Sequence, residues 1–135
     1  MKKRIDTAYI VDDDPVYVYG LQKLINLKGL CKNTFVFQNG YEAIKHLRSV
    51  IYAKEHLPDV ILLDINMPIM DGWQFMDEFI QLEDAMSKKV TIYMVSSSIE
   101  EGDLQRAKKI SQITNYIIKP IALPHLTEIF GVNVG

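Results

Sequence analysis

Short apolar runs and helical stripes alternate without a break along this chain, and that alternation restricts the folds open to it. Strand-like runs stand at Thr7–Val11, Thr34–Phe37, Val60–Leu63, Val90–Val95 and Tyr116–Ile118. Between them, apolar residues recur every three or four places. The stripes are Val18, Leu21, Leu24 and Ile25, then Ile44, Leu47, Val50 and Ile51, then Phe75, Met76, Phe79 and Ile80, with a weaker one at Leu104, Ala107 and Ile110. Such a pattern predicts an α/β domain built on a parallel sheet. The unbroken run Val60-Ile61-Leu62-Leu63 is what a strand covered on both faces needs.

Helix boundaries are written in the same residues. Asp14-Pro15 offers an N-cap followed by proline at the first helical position, and Gly29 a stop. Asn39 with Glu42, Asp71 with Gln74, and Ser98 with Glu101 each read as a cap with a reciprocal partner three places on. A short last helix is expected over Pro124–Phe130, ending at Gly131. The 135 residues suit one domain spanning 1–135, with no linker, repeat or appended output domain expected.

Composition excludes several functions. A net charge of −2 argues against direct nucleic-acid binding, which wants a basic face. Met1-Lys2-Lys3-Arg4 resembles the start of a signal peptide, but the apolar stretch behind it runs directly into aspartates. No apolar run reaches the roughly 20 residues of a membrane helix. The single cysteine, Cys31, excludes an internal disulfide and fits a reducing compartment, so a cytoplasmic location is expected.

Chemistry concentrates at the carboxyl ends of the strands. Asp12-Asp13-Asp14 follows the first and Asp64 the third. Right-handed crossovers put these ends on one edge of a parallel sheet, where ligands of open α/β sheets gather. With Asp14 spent on capping, Asp12, Asp13 and Asp64 form an acidic cluster. At ~4 Å and an effective dielectric of ~20, each like-charged pair repels by about 4 kcal/mol, which a cation would relieve. Oxygen ligands with retained water suit Mg²⁺. Ser96 follows the fourth strand and Lys119 the fifth. A lysine behind the apolar Tyr116-Ile117-Ile118 should reach an anion, and the serine hydroxyl can donate to an oxyanion.

Taken in order, these residues resemble the receiver domains of two-component response regulators. The motifs are Asp12-Asp13, then Asp64-x-Asn66-Met67-Pro68 with Asp71-Gly72, then Ser96, Tyr116 and Lys119-Pro120. In extent the chain is similar to the single-domain chemotaxis regulator. The resemblance implies a doubly wound, flavodoxin-like sheet of five parallel strands in the order 2-1-3-4-5. It implies Asp64 as phosphoacceptor from a phosphohistidine on a sensor histidine kinase or histidine phosphotransfer protein. Mg²⁺ or Mn²⁺ would be held by Asp12, Asp13, Asp64 and the backbone carbonyl of Asn66. Lys119 would pair with Asp64 before reaction and with a phosphoryl oxygen after it. Ser96 and Tyr116 would switch the face of helix four, strand five and helix five for a downstream protein. Pro68, Gly72 and Pro120 would support the loops. Ile121 stands where many relatives carry an aromatic.

Such a chain would catalyse only its own phosphorylation and dephosphorylation. Alternatives are a receiver-like module that binds without phosphorylation and an aspartate-nucleophile phosphohydrolase. The hydrolase would want an acid where Asn66 stands. A flavodoxin-like cofactor carrier is disfavoured, because three aspartates after strand one would repel phosphate. His46, His56 and His125 lack ligand spacing and read as packing or surface residues, and Trp73 as packing at the start of helix three.

Overall fold

The computed structural model describes residues 5–53, 55–98 and 100–131, so Met1–Arg4 lie outside the described residues. In chain order the elements are β1 (Thr7–Val11), α1 (Pro15–Leu27), β2 (Asn33–Phe37), α2 (Gly40–Ala53), β3 (Val60–Asp64) and α3 (Gly72–Leu82). A 3₁₀ turn, Glu83–Ala85, leads to β4 (Thr91–Ser96), α4 (Glu101–Lys108), β5 (Ile113–Ile118) and α5 (Leu123–Ile129). The strands pair in parallel in the order β2-β1-β3-β4-β5, the expected doubly wound sheet.

Strand alternation divides the apolar residues between two cores. Tyr9, Val11, Ile61, Leu63, Ile92 and Met94 face α2 and α3. Ala8, Ile10, Val60, Leu62, Val95 and Ile117 face α1 and α5. Central β1 and β3 are buried along their whole length, whereas edge strand β2 is largely exposed.

Three of the expected helix starts hold. The Asp14 carboxylate accepts from the Val16 and Tyr17 amides, with Pro15 at the first helical position. Asp71 and Gln74 form a complete capping box on α3, and Asn39 Oδ1 accepts from the Glu42 amide at 2.9 Å. Gly29 follows the end of α1 with φ of 59°, as a helix stop should. The Ser98 cap is a correction: Glu100 is the N-cap of α4, without a side-chain bond. The Ser98 amide instead donates to Ser96 Oγ at 3.3 Å, so this residue belongs to the turn beyond β4.

Strands β2, β3 and β4 differ from expectation by one residue at one or both ends, and β5 and α5 differ as well. β5 starts at Ile113, three residues before Tyr116, because an edge strand tolerates the exposed Thr114 and Asn115 that break the apolar run. α5 runs one residue earlier than expected, Leu123–Ile129, and Gly131 follows at φ of 66°.

Candidate functional site

Register places the functional residues. Val11 pairs with Leu63, Asp64 with Val95 and Ser96 with Ile118, so the strands end level. Asp12, Asp13, Asp64, Ser96 and Lys119 therefore meet on one edge of the sheet. Asp12, Asp13 and Asp64 each bring a carboxylate oxygen to within 4.8 Å of the other two. Asp12 and Asp64 are buried and Asp13 is exposed, so the cluster opens to solvent on one side.

Lys119 reaches into the cluster, its Nζ 2.7 Å from Asp12 Oδ2 and 3.6 Å from Asp64 Oδ1. The tighter partner is thus Asp12, where pairing with Asp64 was expected. Both Asp12 oxygens have a partner, because Oδ1 also accepts from the Asp14 amide at 3.0 Å. Asp64 is less well served. Burial, followed by the Asp12 charge, pushes its carboxyl up to about 6, against the pull of Lys119 and the Ile65 amide and with help from Asp13. At neutral pH the group is mostly ionised, but it is held there at a cost.

Ser96 is buried at the end of β4, and the Lys119 amide donates to its carbonyl at 2.8 Å. Tyr116 is half-buried on β5, and its hydroxyl donates to the Ser98 carbonyl at 3.1 Å. The Lys119-Pro120 bond is cis. Asn66 and Pro68 are exposed in the loop after β3. Gly72 allows that loop to close: its amide donates to the Ile65 carbonyl at 2.8 Å. A Cβ there would lie 2.5 Å from the Asp64 carbonyl oxygen, a contact no side chain survives without backbone movement. Ile121 is buried against the α5 core.

Three features escaped sequence reasoning. The Tyr17 ring lies 4.4 Å from Lys119 Nζ. Burial, then the charges of Asp12, Asp64 and Asp14, raises the Tyr17 hydroxyl above the usual phenol range. Tyr17 is the third residue of α1, where a long side chain leans back over the sheet edge, and that position after an acidic strand end was the available signal. Ile69 adopts φ of 69°, an uncommon conformation for a β-branched residue. Arg106 of α4 stacks over the Trp73 ring at 4.6 Å. His46 is confirmed as a packing residue, between Tyr9, Phe35 and Phe37.

Relatives carry the same architecture. The polar-differentiation response regulator DivK of Brucella anthropi is 29% identical over 129 residues, covering 96% of both chains. A two-component response regulator from Cytophaga hutchinsonii superposes with a TM-score of 0.85 at 27% identity, over 95% of this chain and 96% of that one. The phosphorylated cyanobacterial phytochrome response regulator RcpA superposes with a TM-score of 0.74 at 27% identity, over 93% of this chain and 89% of that one. No helix among the described residues is long and apolar enough to cross a membrane. The family model named response regulator receiver domain matches residues 8–130, a span that takes in the acidic cluster, Ser96 and Lys119 together, and the chain belongs to that family.

Proposed function

We propose that this chain is a phosphorylation-dependent signalling switch whose phosphoacceptor is Asp64. The observation that carries the reading is one buried carboxylate set between two further acids and a lysine at the open edge of the sheet. An Asp64 oxygen attacks phosphorus of a phosphohistidine on a sensor histidine kinase or phosphotransfer protein. The new O–P bond forms as the N–P bond breaks, and the electron pair stays on the imidazole nitrogen. Phosphoryl transfer asks the protein mainly for alignment and for positive charge near the transferring oxygens. Lys119 supplies one such charge from the protein itself.

The donor set fits a hard divalent cation: three carboxylates, oxygen only, one of them exposed so that waters can be kept. Asp13 and Asp64 would hold Mg²⁺ or Mn²⁺ with the Asn66 carbonyl, and the bound ion would neutralise charge on the transferring oxygens. Each Asp12 oxygen already has one partner, and Asp12 would join directly through a remaining lone pair or through water.

The output reading follows from the loop beyond β4. Phosphoryl oxygens on Asp64 offer the Ser96 hydroxyl an acceptor. Ser96 and Ser98 are joined through Oγ and amide, and Ser98 holds the Tyr116 hydroxyl through its carbonyl. Drawing Ser96 inward therefore pulls on the acceptor that fixes Tyr116. Helix α4 buries only Ala107, so α4 is the loosely held part of the α4–β5–α5 face and suits a two-state surface read by a downstream protein.

Incubation with Mg²⁺ and acetyl phosphate tests the reading. One base-labile phosphoryl group should appear by intact mass and vanish in Asp64→Asn. No labelling at any Mg²⁺ concentration would overturn it and favour a module that binds its partner unphosphorylated.

A further inference from the structure

Lys119 is held by more than carboxylates. Asp12 Oδ2 lies 2.7 Å from its Nζ, Asp64 Oδ1 3.6 Å, and the centroid of the Tyr17 ring 4.4 Å. The lysine side chain keeps only 13% of its exposure. A poorly hydrated ammonium gains most from the electron-rich face of an aromatic ring. The ring is fixed independently of the lysine. Asp14 caps the Tyr17 amide at 3.2 Å, and the side chain packs on the core between the sheet and α1. The Tyr17 hydroxyl is buried and has no hydrogen-bond partner among the described residues, so none of them holds the ring by its polar end.

The two acids alone would not keep the lysine available to both. Its contact with Asp12 is the shorter by 0.9 Å (3.6 against 2.7), and Asp12 is already tied to the Asp14 amide. Full collapse onto Asp12 would take the ammonium away from the oxygens of Asp64. A third, uncharged support that attracts the ammonium through its π face competes with that collapse.

We propose that Tyr17 is a positioning residue whose ring face holds the Lys119 ammonium between Asp12 and Asp64, from where it passes to the phosphoryl oxygens. This rests on the reading of Asp64 as phosphoacceptor. The ring is the working part, so phenylalanine should serve in its place. Leucine, apolar but smaller and without a π face, should not. The hydroxyl has no partner to lose among the described residues, and its removal leaves none of their groups unsatisfied.

Two measurements on the full chain test this. The first is the rate of labelling of wild type, Tyr17→Phe and Tyr17→Leu by acetyl phosphate with Mg²⁺. The second is the proton resonance of the Lys119 ε-methylene, assigned through Lys119→Arg, in unphosphorylated protein without Mg²⁺. A cation–π contact of ordinary strength corresponds to labelling about fivefold to thirtyfold slower in Tyr17→Leu, and Tyr17→Phe should restore the rate. The ε-methylene protons should be shifted upfield by the ring current in wild type and Tyr17→Phe and return to ordinary values in Tyr17→Leu. Wild-type labelling in Tyr17→Leu, or equal slowing in both variants, would overturn the proposal. So would an unshifted Lys119 resonance in wild type, which needs no variant to fold. If wild type takes no label but its lysine resonance is shifted and moves as described, the phosphoacceptor reading fails and the placement of Lys119 by Tyr17 stands.

Discussion

Replacing Asp64 with asparagine should stabilise the fold, by an amount that varies with pH in a defined direction. Burial and the Asp12 charge lift the Asp64 carboxyl from 3.8 to about 6, with Lys119 opposing. An acid with a raised folded-state pKa binds its proton more tightly when folded. Well below pH 4 both states hold the proton and the penalty is absent. Between about pH 4 and 6 the unfolded chain ionises first, so stability falls as pH rises, and above 6 the full penalty stands. At 1.36 kcal/mol for each pH unit between the two values, the penalty at pH 8 is about 3 kcal/mol. The asparagine amide keeps the shape and the acceptor for Ile65 but cannot ionise, and Lys119 keeps its closer partner, Asp12.

The assay is urea denaturation of wild type and Asp64→Asn from pH 4 to 8, with EDTA to strip divalent cations. Groups remote from the cluster are the same in both proteins and cancel in the difference. Asp64→Asn should be more stable by about 3 kcal/mol at pH 8, with the two curves converging toward pH 4 and the m-value unchanged. An offset that does not vary with pH, or a less stable Asp64→Asn at pH 8, would refute the argument that the carboxylate is held ionised at a cost.

Four other perturbations follow from single contacts. Ile69 is 78% exposed at φ of 69°, so Ile69→Asn relieves backbone strain without opening a cavity and should gain about 1 kcal/mol, read as a higher Tm. Gly72→Ala drives a Cβ to 2.5 Å from the Asp64 carbonyl oxygen and should cost about 2 kcal/mol or more in urea denaturation while slowing acyl phosphate formation. Mg²⁺ should raise the Tm of wild type, by the equivalent of about 2.7 kcal/mol at a hundredfold excess over Kd, and should barely move Asp13→Asn, whose exposed side chain is not needed for folding. Asp59→Asn should lower stability by about 1 kcal/mol at neutral pH, opposite in sign to Asp64→Asn, with the loss fading as pH falls below the carboxylate range.

Much of the fold was legible because burial on both faces leaves strands with nothing polar to carry. Val60–Leu63 and Thr7–Val11 read as strands for that reason, and their acids could be assigned to one edge because parallel connections allow no other arrangement. Edge strand β5 was legible only at its end, since Thr114 and Asn115 face solvent and carry no apolar signal. Ser98 was misread as a cap because sequence spacing does not distinguish a cap from a turn whose serine amide bonds to Ser96. The carboxylates and Lys119 were visible as residue types, but the preference of Lys119 for Asp12 depends on distances of 2.7 and 3.6 Å. Tyr17 was hidden because an aromatic at a helix start has many uses, and only its contact with the ammonium selects one.

Two acids bracket β3 with opposite fates, and the contrast bears on which of them is suited to react. Asp59 precedes β3, and there burial, which would raise its pKa, is outweighed by bonds from Lys88 and the Thr7 and Asp6 amides, so the carboxyl lies below its ordinary value. Its charge is satisfied within the fold and is stabilising above the unfolded pKa. Asp64 ends the same strand beside Asp12 and Asp13, with Lys119 3.6 Å away, and lies above its ordinary value. A carboxylate short of donors keeps free lone pairs and gains from any cation or electrophile that arrives. The strain at Ile69 and the carboxylate crowding both fall at this edge, whereas the opposite edge ties β1, β3 and Lys88 together through Asp59. Stability is given up at that edge, and the asymmetry supports the proposal that Asp64 is the reactive acid.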